Sequence, residues 1–256
     1  CILRHIKIYH FVKTYSFFLI STFLIFNFCS SEDAIIVEPT RDLMEQSIED
    51  NKSLLTYLET HFYNYSVFES NPNSGRNVIK IDTISLINID RIPLIDQVLS
   101  QNITLKTNDA SVNHVLYYLS VKDGVGENPS IADSTFVTYQ GSLLDGTVFD
   151  ENTNPIWFDL TQVVRGFREG ATKLKPGNYF VNDDNTVLFS DFGQGVLFIP
   201  SGLAYFSQSS TVIPAYSPLI FKISLYATKK TDHDGDGILS SDEFDNDKDG
   251  VLDDLD

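Results

Sequence analysis

The sequence predicts an α+β fold in which an antiparallel β-sheet wraps around one short helix. From "HVLYYLSV" at residues 114–121 onward, β-branched and aromatic residues alternate with polar ones, which is typical of half-buried strands. Turn-forming sequences recur at "DGVGENPS" and "LLDGT", where we expect connections between strands. A single helical pattern, "TQVVRGFREGATKL", interrupts these strands, and Thr161 is placed to cap its N-terminus.

A smaller segment, residues 39–112, precedes this sheet. From Pro39 to Phe62 the apolar residues follow a helical spacing that predicts one amphipathic helix. The predicted apolar stripe consists of Met44, Ile48, Leu55, Leu58 and Phe62. Turn formers in "SNPNSGRN" follow, and "IKIDTI" and "NITLKT" predict short strands. No motif here carries chemistry, so we expect a packing subdomain or a homodimer contact.

Composition narrows the possible functions. The chain has 256 residues and a formal net charge of −17. Ten Asp, one Glu and one Lys after residue 231 contribute about −10 of this charge. An acidic surface repels phosphate backbones, so we expect no nucleic-acid partner. The only cysteines are Cys1 and Cys29, which excludes disulfide frameworks and thiol nucleophiles from the predicted sheet.

Residues 1–29 have the pattern of an export signal. Arg4, Lys7 and Lys13 form a basic head, and an apolar run of about twelve residues follows, where a bilayer span needs about 20. Cys29 ends this run and resembles the acceptor cysteine of bacterial lipoproteins, and the following "SSED" resembles the surface-export signal of Bacteroidetes lipoproteins. Residues 30–38 would be a tether. We expect a lipid-anchored protein of the outer membrane, exposed at the surface or facing the periplasm; a plain cleaved signal is the alternative.

Four motifs follow one another within residues 113–228. They are "YQG" at 139–141, "DGTVFD" at 145–150, "VVRGFREG" at 163–170 and "IPSGLAY" at 199–205. Their order and spacing resemble the FK506-binding (FKBP) class of peptidyl-prolyl cis-trans isomerases, over His114 to Ala227. The resemblance implies an enzyme without a catalytic cofactor, acting on proline-containing segments of exported proteins.

Isomerisation of an X-Pro bond requires little acid–base chemistry. Its barrier of about 18–20 kcal/mol arises because amide resonance is lost at the twisted geometry. An apolar pocket stabilises the twisted amide, since that amide carries less charge separation than the planar one. A few fixed polar groups then hold the flanking carbonyls.

The resemblance also implies the residues of such a pocket. They are Tyr139, Phe149, Asp150, Ile156, Val163, Val164, Phe167, Tyr205, Ile213 and Phe221. Phe167 would form the floor under the proline ring, while the Val164 N–H and the Tyr205 hydroxyl would hold substrate carbonyls. Asp150 would orient groups at the edge. Without the resemblance, the apolar members would be assigned to the core and Asp150 to a turn.

Several residues around the implied cleft depart from the family pattern. Phe167 stands where many members have Trp, Phe206 replaces a Gly, and Ser209 replaces a loop His. "IPAYSP" replaces Ile-Pro-Pro, and residues 178–194 form an extra stretch. We therefore expect a reshaped loop over the cleft and an altered substrate preference.

Residues 231–256 match two tandem calcium-binding loops. Their predicted ligands are Asp232, Asp234, Asp236, the Ile238 carbonyl, Ser240 and Glu243, then Asp245, Asp247, Asp249, the Val251 carbonyl, Asp253 and Asp256. A strand-like segment leads into the first loop and only Phe244 separates the two, so no helices are available for a sensor. We expect structural calcium, and a disordered tail without it. Two other functions remain open: a non-catalytic peptide-binding chaperone, and a calcium-dependent surface adhesin or assembly protein.

Overall fold

A computed structural model describes residues 40–71, 77–107 and 111–244. Predictions that fall on residues 1–39 and 245–256, including the signal, Cys29 and the second calcium loop, lie outside this part. The first half of the fold comprises α1 (Leu43–Thr60), β1 (His61–Tyr63), α2 (Tyr65–Ser70), β2 (Ile81–Thr83), a 3₁₀ turn (Leu94–Asp96), β3 (Leu99–Lys106), β4 (Ser111–Lys122), β5 (Ser134–Leu143) and β6 (Val148–Asp159). The second half comprises a 3₁₀ turn (Leu160–Gln162), α3 (Arg165–Ala171), β7 (Asn178–Val181), β8 (Val187–Ser190), β9 (Gly193–Ile199), a 3₁₀ turn (Ser201–Leu203), β10 (Leu219–Lys229) and α4 (Ser240–Glu243).

Six strands form one antiparallel sheet in the order β3-β4-β9-β10-β5-β6. This confirms the predicted α+β class. Because side chains alternate along a strand, each face of the sheet builds its own core. On β9, Leu197 and Ile199 face the cluster that includes α3, whereas Val196 and Phe198 face the cluster that includes α1. We call these the α3 face and the α1 face.

The long N-terminal helix differs from its predicted form. It begins at Leu43, where the Asp42 side chain accepts hydrogen bonds from the Met44 and Glu45 N–H groups. Met44 and Ile48, both assigned to the apolar stripe, are 52% and 64% exposed. The residues that α1 actually buries are Gln46, Ser47, Asp50, Leu54 and Leu58. The predicted stripe is therefore wrong over the first two turns, because these turns face polar backbone groups rather than an apolar surface.

The predicted boundary at residues 112/113 falls inside a strand. β3 pairs with β4 along eight register positions, from Leu99 opposite Tyr118 to Lys106 opposite Ser111. The described residues from Thr40 onward also belong to one compact unit. The segment assigned to an N-terminal subdomain thus contributes an edge strand to the same sheet and packs α1 on it.

The predicted helix cap at Thr161 is wrong. Asp159 is the capping residue there, and it accepts hydrogen bonds from the Thr161 N–H and hydroxyl at 2.9 and 2.7 Å. This cap closes a 3₁₀ turn, and α3 starts only at Arg165, with Val164 at its N-cap. Between the 3₁₀ turn and α3 the backbone is extended at Val163. The structure therefore has two short helical segments where the sequence pattern predicts one helix.

No helix among the described residues is both long enough and apolar enough to cross a membrane.

Candidate functional site

Helix α3 lies against the sheet because two glycines allow a close approach. A Cβ at Gly166 would lie 2.2 Å from Cγ2 of Ile199, and a Cβ at Gly170 would lie 2.5 Å from Cδ1 of Leu197. Both distances are shorter than any van der Waals contact, so a side chain at either position would push the helix away. The four-residue spacing of these glycines places them on one helical face, and Phe167 is carried down onto the sheet with them.

The apolar cleft is a cluster of aromatic rings around Phe167, which is only 2% exposed. Phe167 makes edge-to-face contacts with Phe221 and Phe158, with ring centroids 5.2 and 5.6 Å apart. Phe149 makes the same kind of contact with Phe221 at 5.6 Å, and Tyr139 packs on Phe158 at 5.1 Å. These arrangements are the favourable ones for aromatic pairs, so each ring is fixed by its neighbours.

Most residues implied by the resemblance do come together on the α3 face. Buried Phe167, Ile213 and Phe221 belong to one core cluster, against which Tyr139, Phe149, Val163 and Val164 pack. Ile156 lies opposite Val137, a member of this cluster, and therefore on the same face, but it is not among the residues that pack against the cluster. Phe158 was missed in the sequence analysis. Its position two residues after Ile156 on the same strand was the available signal, because alternate residues share a face.

Tyr139 and Asp150 form the polar rim of the cleft. The Tyr139 hydroxyl donates a 2.7 Å hydrogen bond to Oδ2 of Asp150. Burial raises the pKa of Tyr139 to about 12, together with this bond and the negative charge of Asp150, and the nearby Tyr205 adds to the effect. The tyrosine is therefore neutral and oriented at physiological pH. Asp150 is an exposed acceptor that fixes this hydroxyl and has no buried proton-transfer partner.

Two donors at the cleft are available for substrate carbonyls. No group in the described part of the chain accepts a hydrogen bond from the Val164 N–H, which precedes the first turn of α3. Tyr205 follows the 3₁₀ turn at Ser201–Leu203 and is 40% exposed. Among described groups its hydroxyl also makes no hydrogen bond. Both groups meet the requirement for holding a peptide backbone at the mouth of an apolar pocket.

The loop between residues 203 and 219 is strained at the position where the family pattern has Gly. Phe206 has φ of +47° and Tyr216 has φ of +62°, which are unfavourable for bulky residues. Their rings form an edge-to-face pair with centroids 5.2 Å apart. Arg41 lies just before α1, and its guanidinium stacks 4.5 Å above the Tyr216 ring. Its backbone N–H donates a 3.0 Å hydrogen bond to the Tyr216 hydroxyl. Contacts with Arg41 and between the two rings therefore hold this loop in place.

A buried carboxylate connects α1 to the same loop. Oδ2 of Asp50 accepts hydrogen bonds from both the N–H and the hydroxyl of Ser201, each at 2.7 Å. Oδ1 accepts a further bond from Gln46 at 2.7 Å. Asp50 is 1% exposed, and burial raises its pKa, although these hydrogen bonds oppose the shift. Helix α1 therefore fixes the turn that leads into Tyr205.

The acidic loop after β10 brings three predicted ligands together. One carboxylate oxygen each from Asp232, Asp234 and Asp236 lies within 4.8 Å of the others. Gly235 and Gly237 have φ of +76° and +96°, which lets the chain turn tightly around this cluster. Opposite ligands of a Ca²⁺ ion bound at 2.3–2.6 Å lie about 5 Å apart, so this spacing fits calcium.

The other predicted ligands of this loop are placed differently. Glu243 lies in α4, and its pKa is raised by desolvation and by the negative charges of Asp234, Asp236 and Asp232. Its carboxylate therefore feels the acidic cluster. Ser240 is fully buried, and its hydroxyl is 2.7 Å from Nδ1 of His233, so its side chain is engaged away from the cluster.

His233 attaches the acidic loop to the sheet. Its Nε2 is 3.1 Å from Oδ2 of Asp159, the residue that caps the 3₁₀ turn before Val163. Thr231 makes a second contact, with its hydroxyl 3.2 Å from that of Ser134. These two contacts hold the first loop against the edge of the sheet.

The fold and the site together define a class of protein: an antiparallel sheet with a short helix across one face and a cluster of aromatic rings packed between them. Residues 126–181 match the family described as FKBP-type peptidyl-prolyl cis-trans isomerase. This match and the curated relatives below support an FKBP-type domain in the chain.

Three relatives show the extent of the similarity. The peptidyl-prolyl cis-trans isomerase Mip of Coxiella burnetii is 33% identical over 119 residues, which is 45% of this chain and 45% of that protein. The FKBP-type isomerase FkpA of Aeromonas hydrophila is 35% identical over 124 residues, 47% of this chain and 41% of that protein. The outer membrane protein MIP of Legionella longbeachae is 32% identical over 119 residues, 45% of each chain. The chain thus matches less than half the length of these relatives.

Proposed function

We propose that this protein is a peptidyl-prolyl cis-trans isomerase that acts on X-Pro bonds of exported proteins in the cell envelope. The observation that carries the proposal is the ring cluster around Phe167, which offers an aromatic floor beside two available donors, the Val164 N–H and the Tyr205 hydroxyl. A proline ring packs on Phe167, and the donors hold the flanking carbonyls in the twisted geometry. Desolvation of the amide in this cleft lowers the rotational barrier, and no side chain needs to transfer a proton.

Isomerisation of a proline-containing peptide tests this proposal. Tyr205→Phe removes one hydrogen-bond donor from an exposed ring, so we expect kcat/KM to fall about tenfold with no change in stability. Phe167→Ala removes the floor and should abolish activity; circular dichroism then shows whether the domain still folds. Val125→Ala changes an exposed side chain outside the ring cluster and is the matched control. A folded wild-type protein with no activity above buffer at micromolar concentration would refute the proposal.

A chaperone function is a second candidate, because the extra stretch forms an exposed apolar hairpin. β7 and β8 pair with each other from Asn178 opposite Ser190 to Val181 opposite Val187. Tyr179 and Phe180 are each 65% exposed, and Leu188 is 59% exposed. Such a surface is suited to transient contact with unfolded chains. The double variant Phe180→Ser and Leu188→Ser should suppress the aggregation of an unfolded client protein less well than the wild type and should isomerise peptides normally. Loss of both activities would place both functions in the cleft.

We further propose that the acidic loop binds one structural Ca²⁺ ion. The support is the convergence of Asp232, Asp234 and Asp236 at a spacing suited to calcium, with Glu243 close enough for its pKa to respond to them. When bound, the ion neutralises mutual repulsion between these carboxylates. Calorimetric titration with Ca²⁺ should show a binding isotherm that Asp236→Asn weakens strongly. Asp242→Asn changes a neighbouring carboxylate outside the ligand pattern and should leave the affinity for Ca²⁺ unchanged. Equal effects of the two variants on this affinity would contradict the proposal.

The proposed location is the outer membrane, through a lipid on Cys29. Support comes from the signal-like pattern before this cysteine and from the relative named as an outer membrane protein. Mass spectrometry of the mature protein should show diacylglycerol on Cys29, and Cys29→Ser should release the protein from the membrane fraction. Recovery of the variant in the membrane fraction at the wild-type level would exclude this anchor.

A further inference from the structure

A second concave site lies on the α1 face of the sheet, opposite the aromatic cleft. It has a volume of about 340 Å³ and lies between β6, β5, β10 and β9 and the chain at residues 77–79. Most of the residues that line it are of polar types, among them Thr138, Gln140, Gln194, Lys222, Ser224 and Tyr226. This volume is at the lower end of the range for small-molecule sites. The side chains of Lys222 and Ser224 alternate along β10 with those of Phe221 and Ile223, which belong to the core of the α3 face, and Tyr139 and Ile223 complete the lining.

Lys222 supplies an uncompensated positive charge to this site. Its ammonium donates one hydrogen bond, at 3.1 Å, to Oε1 of Gln140, which is a neutral acceptor. Across the described residues no carboxylate forms an ion pair with Lys222. An ammonium has three donors, so two remain for another partner. Burial lowers the pKa of Lys222, which shows that its charge is only partly solvated.

A carboxylate at the rim fixes this arrangement without neutralising it. Oε2 of Glu151 accepts a 2.8 Å hydrogen bond from Nε2 of Gln140. That bond orients the Gln140 amide so that its oxygen faces Lys222. Glu151 is exposed to solvent, whereas Lys222 lies deeper. Glu151 also lines the site, and because it is exposed, water screens its negative charge more than it screens the charge of Lys222.

Gln194 supplies a buried acceptor that has no partner. The residue is 4% exposed, and its Nε2 donates to the Asn77 carbonyl and to Oγ of Ser224, both at 3.0 Å. A carbonyl can only accept, so the amide orientation is fixed with the nitrogen towards Asn77. Oε1 of Gln194 is then left buried without any hydrogen bond in the described structure. This oxygen has almost no accessible surface, so Gln194 contributes to the wall of the site through its bonds to Asn77 and Ser224.

We propose that this site binds a small ligand carrying a carboxylate next to a hydrogen-bond donor. The carboxylate pairs with Lys222, and the donor bonds to the hydroxyl oxygen of Ser224 or Thr138, which lie opposite each other on β10 and β5 and line the site. Two sources share this chemistry: a sugar acid, with its hydroxyl groups, and an acidic side chain of a peptide, with its amide N–H groups. Ligand binding at this site and peptide binding in the cleft do not exclude each other.

Calorimetric titration of the purified chain with two probes distinguishes the sources. Glucuronate represents a sugar acid, N-acetyl-aspartate methylamide represents an acidic peptide residue, and glucose is the neutral control. We expect millimolar or tighter binding of one acidic probe and at least about tenfold weaker binding of glucose, because the charge-assisted bond to Lys222 is missing. The absence of binding by either acidic probe, or equal binding of glucose and glucuronate, overturns the proposal.

Substitution of Lys222 locates the binding. Lys222→Met should weaken the binding of the acidic probe by about tenfold or more. Lys222→Arg keeps the positive charge and should retain most of the affinity. Lys229→Met removes an exposed lysine from the end of the same strand and is the matched control. A loss with Lys222→Met no greater than that with Lys229→Met overturns the proposal. Should Lys222→Met fail to fold, the comparison of glucose with glucuronate on the wild type still decides.

Discussion

Replacing Asp50 with Ala should destabilise the fold and the cleft loop together. The carboxylate accepts three hydrogen bonds of 2.7 Å, two from Ser201 and one from Gln46, and water cannot replace it because the site is 1% exposed. Each buried donor left without a partner destabilises the folded state by about 1–3 kcal/mol. Part of this loss is offset because the variant no longer buries the charged carboxylate of Asp50. We expect a net loss of about 3 kcal/mol in the free energy of unfolding, which is about 6–12 °C in Tm for a domain of this size.

Urea denaturation and the isomerase assay together measure this effect. Glu49→Ala is the matched control, since Glu49 is an exposed neighbour on the same helix and should change stability by less than about 0.5 kcal/mol. The kcat/KM of Asp50→Ala should also fall at temperatures where the protein stays folded, because Ser201 anchors the turn that leads into Tyr205. Equal stability of the Asp50 and Glu49 variants would refute this role of α1.

The pH dependence provides an independent check on Asp50. Burial raises the folded-state pKa above 3.8, so the unfolded state loses the proton first as the pH rises. The stability from this titration is fully present below pH 3.8 and is lost as the pH rises through the folded pKa. The difference in stability between wild type and Asp50→Ala should therefore shrink from acidic to neutral pH. A difference that grows with pH would show that the hydrogen bonds outweigh the cost of burial.

Two further predictions concern the cleft. Tyr139→Phe removes the 2.7 Å bond to Asp150 and should lower kcat/KM by less than about tenfold. In an alkaline absorbance titration Tyr57 and Tyr139 should both titrate near pH 12 in the wild type, and the variant should lose one of these two transitions; an unchanged titration would contradict the assignment. Gly170→Ala should lower the free energy of unfolding by about 1–3 kcal/mol and reduce activity, because the added Cβ would lie 2.5 Å from Leu197 and displace α3. A variant as stable and active as wild type would show that α3 can shift freely.

Local patterns predicted the sheet, and the family resemblance predicted most of the cleft. Alternation identified β4 and β5, and the spacing of "VVRGFREG" identified α3, since both depend on contacts within one element. Phe149, Phe167 and Phe221 were placed by resemblance, and the ring contacts agree. These elements bury apolar side chains against a regular surface, where the pattern in the sequence reflects the pattern of burial.

The polar contacts of α1 could not be predicted in this way. A buried Asp50 within a helix looks like any solvated acidic residue in the sequence, and its partner Ser201 is 151 residues away. Met44 and Ile48 were assigned to the core because helical periodicity indicates a face but not what that face meets. The position of Phe158 beside Phe167 was missed for a related reason, since the edge of the cleft depends on the pairing of β5 with β6.

The N-terminal segment therefore supports the loops that cover the cleft. Phe206 and Tyr216 hold backbone angles that bulky residues rarely adopt, and such strain persists only where surrounding contacts fix it. The N-terminal segment supplies such contacts at two points, through Arg41 on the Tyr216 ring and through Asp50 on Ser201. A glycine in place of Phe206 would remove the strain but also the ring that packs on Tyr216. The departure from the family pattern at Phe206 and the N-terminal helix are thus parts of one arrangement, in which helix α1 holds the loop bearing Tyr205 from the opposite face of the sheet.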